Sequence, residues 1–163
     1  PTGLAFPHRN TGLPPNEPAI FTGTCVLLSV HRVDKELSRH GYVFNPLFFA
    51  YAEDLELSLR ILRDKGKIYI SPDLLVTHFG SQTAKRGSFF QLYHGYRNLT
   101  LIILLLWSRK DILIRLPLIL TGQAYIIAMS VYKGYLLLYP KIVWWIYKNH
   151  EAIAWQRNQY AQR

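Results

Sequence analysis

The last third of the sequence limits the fold most. Between Leu99 and Tyr147 the chain is strongly apolar and carries a single acid, Asp111. Ile112–Leu120 and Ala124–Tyr139 are apolar runs separated by Thr121-Gly122-Gln123 and interrupted by Pro117 and Pro140. Helices of this kind must bury their faces against something. The most apolar window, Leu116–Tyr132, falls short of the roughly 20 residues that a membrane span needs. It contains Pro117, Gly122 and Gln123 and is bounded by Arg115 and Lys133. Three arrangements satisfy the pattern. The helices lie in a membrane interface, with Trp144, Trp145 and Trp155 among basic residues. Alternatively one helix spans a thin bilayer with its flanking cations snorkelling, or the segment is a soluble helical subdomain or oligomer interface.

Charge favours the membrane surface. The net charge is +9. Eleven Lys and Arg face eight acids before Leu99, and eight face two from there on, so the basic excess lies in the more apolar part. That combination fits a bilayer surface. A nucleic-acid binder carries its charge on a polar face, and nucleic acid is not expected as a partner. A single cysteine, Cys25, excludes an internal disulfide and any cysteine-based zinc cluster, and its apolar surroundings predict a buried thiol.

The first half has a different grammar. Residues 1–18 are rich in Pro, Gly and Asn and read as a loop without a signal peptide, cut from a longer protein. Ala19–Val30 reads as a buried strand, with Gly23 marking a close backbone approach. His31–His40 reads as a short polar helix stopped by Gly41, and Tyr42–Tyr51 as an aromatic loop turned at Asn45-Pro46. Glu53–Lys65 is the clearest helix. Leu55, Leu59 and Leu62 form its apolar stripe, acids fill its first turn, bases lie toward its end, and Gly66 follows. Lys67–Ser71 and Leu74–Thr77 read as short strands, Gly80–Ser88 as a polar loop, and a further helix is expected from about Phe89 to Trp107.

Gly23, Phe48-Phe49, Tyr51, Glu53-Asp54, Glu56-Leu57, Arg60, Gly66, Pro72, Val76, His78 and Tyr96-Arg97-Asn98 occur in a fixed order and spacing. Together they resemble the second half of an inverting family 2 glycosyltransferase of the rhamnosyltransferase-like type, over about residues 19–107. The resemblance implies an α/β fold. Residues 1–98 would be the C-terminal part of a GT-A domain without its nucleotide-binding half, and 99–163 a helical membrane-associating tail. It implies transfer of a sugar, rhamnose among the candidates, from a nucleotide-diphosphate donor to a lipid-linked or polysaccharide acceptor, at the cytoplasmic face of the cell membrane in a peripheral or monotopic arrangement.

Asp54 is then the general base that takes the acceptor's proton, and Glu53 shapes the acceptor site. Both residues serve equally as helix-start acids that complement the dipole. Tyr51, Lys85, Arg86 and Arg97 are the candidate substrate contacts. The basic loop would fold over the donor, and Arg97 would touch the diphosphate or else form a buried pair with an acid. His78 is a candidate metal ligand, with a structural role as its alternative. Arg60 at i+4 from Glu56 suggests a structural ion pair of small worth. A divalent Mg²⁺ or Mn²⁺ is implied, with its main ligands outside this chain, because no Asp-x-Asp metal motif and no Gly-rich phosphate loop occurs. A chain with these residues alone is therefore expected to be inactive. The competing functional reading is a noncatalytic, membrane-associated interaction module.

Overall fold

Ser29 opens the first helix in the computed structural model, which describes residues 20–21, 23, 25–69 and 84–161. The Ser29 side chain accepts from the Arg32 N–H, so α1 runs Val30–His40. It stops at Gly41, whose φ of 76° is left-handed and whose N–H reaches the Leu37 carbonyl. The loop to the next helix turns where the sequence says it should. The Asn45 side-chain oxygen accepts from the Leu47 N–H at 2.9 Å, and Asn45 and Phe48 are both buried.

The second helix, α2, spans Glu53–Arg63 and buries Leu55, Leu57 and Ile61. Its end departs from the expected glycine stop. Lys65, not Gly66, takes the left-handed conformation, at φ 57°. The Gly66 N–H then returns to the Ile61 carbonyl at 2.8 Å and the Lys65 N–H to Leu62 at 3.0 Å, closing a Schellman turn. Gly66 is required for a different reason: a Cβ there would lie 2.8 Å from Ile61 Cγ2.

The described residues up to Tyr69 form one compact unit and those from Ala84 onward another, a division ahead of the 98/99 boundary read from the sequence. The second unit is built on α3 (Phe89–Leu106), capped by Ser88. His94, Arg97, Asn98, Leu101, Ile102 and Leu105 fall on its buried face. It is followed by α4 (Arg109–Ile114), α5 (Leu116–Tyr132), α6 (Leu138–Lys148) and α7 (His150–Ala161). Pro117 and Pro140 sit in the first turns of α5 and α6, where a missing N–H costs nothing, so they start these helices. The α3 helix packs mainly against α7 and α6. Arg157 on α7 ties the end of α3 by donating to the Leu104 carbonyl at 2.7 Å and the Trp107 carbonyl at 3.1 Å. Ile126, Leu138 and Ile142 make a core among the aromatic rings of Phe89, Tyr93, Tyr96, Tyr135 and Tyr139.

The α/β expectation is overturned: among the described residues all regular structure is α-helical and there is no strand. A strand exists only by pairing its backbone with a neighbour. The described part of Ala19–Val30 has no such neighbour. It runs as irregular chain with Leu27 90% exposed. Cys25 is exposed with it and is not the buried thiol that its apolar neighbours suggest. Residues 67–69 are likewise unpaired chain, and Leu74–Thr77 lies outside the described residues. The C-terminal half of a GT-A domain would be a half-sheet with open edges, and the described residues form packed helices instead. None of these helices is long and apolar enough to cross a membrane.

Candidate functional site

The start of α2 is held in an unusual way. Tyr51 and Ala52 both adopt left-handed backbone conformations, at φ 65° and 62°. For residues with a Cβ this costs on the order of 1–2 kcal/mol each. Ala52 is the N-cap and supplies no side-chain cap. Asp54 does part of that work. Its Oδ1 accepts from the Leu55 N–H at 2.7 Å and its Oδ2 from the Gly23 N–H at 2.7 Å. The Gly23 contact joins residues 31 apart. Ser58 reinforces it by donating to the Asp54 carbonyl and accepting from the Phe21 N–H. Asp54 remains only partly buried, and each carboxylate oxygen retains a second lone pair for another donor.

Glu53 is placed differently. Its Oε2 is buried and accepts no hydrogen bond among the described residues. Burial pushes its carboxyl above the ordinary value of 4.5, its own backbone N–H opposes the shift, and the neighbouring Asp54 charge adds to it. Two adjacent acids thus have distinct environments: Asp54 is oriented by backbone donors, and Glu53 is biased toward keeping its proton.

Behind this front lies a buried ion cluster. Arg60 grips Glu56 with two bonds, Nε to Oε1 at 2.8 Å and Nη2 to Oε2 at 3.0 Å. It also pairs with Glu36 of α1 and donates to the Val43 carbonyl. Arg32 meets the other Glu36 oxygen at 2.6 Å. Arg60, Glu36 and Glu56 are each at most 2% exposed. The Glu56–Arg60 pair is therefore no weak surface pair but the joint between α1 and α2. The extra methylene that Glu has over Asp at position 56 serves its two-bonded grip on Arg60. Sequence reasoning found the i, i+4 half of the cluster and missed Glu36. The spacing of Arg32, Glu36 and His40 on one face of α1 was the available sign.

The remaining candidates lie in the second unit. Lys85 and Arg86 are exposed in the turn leading into α3, where Gly87 at φ 74° donates its N–H to the Gln91 side chain. Arg97 is 3% exposed. Its guanidinium lies 4.3 Å from the Trp145 ring centroid and 5.6 Å from that of Tyr93, and its Nε donates to Asn98 Oδ1. Burial lowers its pKa, against the stabilising Tyr93 phenol. This is a buried cation lying over aromatic rings. His78 lies outside the described residues. Among the described residues no group of three His, Cys, Asp or Glu side chains is placed to hold a metal ion. The implied Mg²⁺ or Mn²⁺ would therefore need its main ligands outside the described residues. Comparison with known proteins yields no match: no family model, no curated protein and no solved structure is similar to this chain.

Proposed function

We propose that the chain supplies the acceptor-side base of an inverting sugar transfer carried out at a membrane surface. The carrying observation is Asp54, a partly exposed carboxylate fixed by two backbone donors behind a pair of strained left-handed residues. Strain of this kind clusters at working sites. Gly23, Glu53, Asp54, Glu56 and Arg60, which carry the resemblance to family 2 transferases, are bonded to one another or adjacent around this helix start.

The chemistry is a single in-line displacement. The acceptor hydroxyl oxygen bonds to the anomeric carbon as the bond from that carbon to the diphosphate oxygen breaks. The hydroxyl proton passes to Asp54, and the nucleoside diphosphate leaves with the bonding pair. Tyr51, adjacent to this helix start, is the proposed acceptor contact. A divalent metal, Mg²⁺ or Mn²⁺, would have to be bound outside the described residues.

The membrane part rests on the second unit. Leu113, Ile114, Leu136, Leu137, Trp144 and Tyr147 are all exposed there, interspersed with Arg109, Lys110, Lys133 and Lys148. A noncatalytic membrane module is the second reading, favoured by the all-helical fold of the described residues.

The test is release of nucleoside diphosphate from UDP-, GDP- and dTDP-sugars by membranes of cells that carry the native gene, with a lipid extract as acceptor. Asp54→Asn should lower the rate by about 100-fold or more while leaving the protein folded, the usual contribution of a general base. An unchanged rate in folded Asp54→Asn would remove Asp54 from this role.

A further inference from the structure

Two cavities of about 310 and 290 Å³ adjoin in the second unit across a common wall of Thr100, Ile103, Ile119 and Gln123. The smaller lies between α3 and α5 and reaches from Tyr96 to Trp107. Apart from Gln123 its lining is mainly aliphatic and aromatic, and its threonine hydroxyls are already committed. Thr100 Oγ1 donates to the Tyr96 carbonyl at 3.0 Å and Thr121 Oγ1 to the Pro117 carbonyl at 2.9 Å. The Tyr96 phenol bonds Tyr125.

This chemistry selects among occupants. An extended peptide would bring backbone groups that find few partners here, each costly to bury unpaired. A partner helix, about 10 Å across with its side chains, is too thick for a cavity of this size. A hydrocarbon chain asks for no hydrogen bonds and gains from burial in proportion to its length. The Trp107 end adds charge. The Arg115 guanidinium sits 5.5 Å from the Trp107 ring centroid, and Arg109 and Lys110 are exposed on the adjoining turn. The acid there, Asp111, accepts from the Ser108 hydroxyl and is outnumbered by these three cations. The residues that meet a head group at this end are therefore mainly cationic.

We propose that the α3–α5 groove seats one hydrocarbon chain of a membrane lipid whose phosphorylated head group is met by Arg115, Arg109 and Lys110. The proposal rests on the membrane-surface part of the reading above and is independent of Asp54. It assigns the exposed apolar residues to general contact with the bilayer and the groove to capture of an individual lipid.

Gly122 gives the test. It lines the groove, and a Cβ added to it meets no atom within 4 Å, so a larger side chain enters open space without disturbing the helix. The full chain is incubated in neutral detergent with dodecyl phosphate bearing a photoreactive diazirine, and with the matching dodecanol. Labelled peptides are then mapped by mass spectrometry. The wild type and Gly122→Ala should label within α3 and α5, and Gly122→Leu should lose about tenfold or more of that labelling as the added side chain fills the space. Arg115→Gln should reduce labelling by the phosphate while sparing the alcohol. Inorganic phosphate in excess should not displace the probe.

Equal labelling of Gly122→Leu and wild type overturns the groove assignment, as does labelling confined to other elements. Efficient displacement by inorganic phosphate would show a free-anion site instead. Vesicle flotation of the same variants reads the surface contact separately. Gly122→Leu should float as the wild type does, so loss of flotation and loss of labelling report different failures.

Discussion

Glu53 and Asp54 are neighbours in sequence and unlike in environment, and the difference is testable by pH. Burial holds the Glu53 carboxyl above its ordinary value of 4.5. In the window above that value the folded state binds more protons than the unfolded state. Stability therefore falls as pH rises through it. At neutral pH an ionised, half-buried Glu53 is a liability that Gln does not carry. Glu53→Gln should thus be more stable than wild type in urea unfolding at pH 7, with the advantage fading as pH drops below about 4.5. A variant that is less stable than wild type at pH 7 would contradict the burial argument. His94 works in the opposite sense. Burial and the nearby Arg97 charge lower its pKa, so its share of stability is present above the ordinary value of 6.5 and lost as pH falls below it through the depressed folded value. At this scale the sequence revealed identity but not environment. A helix start with two acids was legible, whereas which acid is buried depends on backbone conformations at Tyr51 and Ala52 that no residue preference suggests.

The joint between α1 and α2 shows what a short motif conceals about elements. The i, i+4 spacing of Glu56 and Arg60 is legible and by itself describes a surface pair worth a few tenths of a kcal/mol. Glu36, 24 residues away from Arg60, turns that pair into a buried cluster. Removing the cation takes from the buried Glu56 its two-bonded partner and leaves Glu36 to Arg32. Arg60→Met should cost about 3–5 kcal/mol of stability, the usual penalty for breaking a buried pair. Arg60→Lys should recover only part, since an ammonium cannot make the two-bonded grip on Glu56. A loss below about 1 kcal/mol in chemical denaturation of Arg60→Met would mean that the cluster is wet. The stop at Gly41 was legible in the sequence, while the Ser29 and Ser88 caps were not singled out and the left-handed residue after α2 is Lys65 instead of Gly66. Ser29, Gly41 and Ser88 act through contacts within a few residues, the range over which sequence specifies structure directly. The expected strands failed because an apolar run such as Cys25–Val30 declares burial without declaring a partner, and a strand needs one.

At the scale of the whole chain, apolar surface and positive charge coincide in the second unit, and neither alone decides what the surface meets. Exposed Leu113, Leu136, Trp144 and Tyr147 suit a bilayer interface or a second protein equally. The charge separates these cases. The basic excess from Leu99 onward stands beside the apolar residues, and an anionic bilayer answers both features at once. The chain should float with phosphatidylcholine vesicles containing phosphatidylglycerol and float weakly with phosphatidylcholine alone. Salt should weaken binding without abolishing it. At about 1 M the screening length falls to about 3 Å, which removes the attraction of Lys110, Lys133 and Lys148 but leaves the apolar contact. Trp144→Ala together with Trp155→Ala should weaken the salt-resistant fraction, because interfacial tryptophans contribute through their rings and not through charge. Binding that is indifferent to lipid charge would remove the electrostatic half of the argument. A chain that stays soluble at low salt and self-associates through the same residues would assign this surface to a second copy.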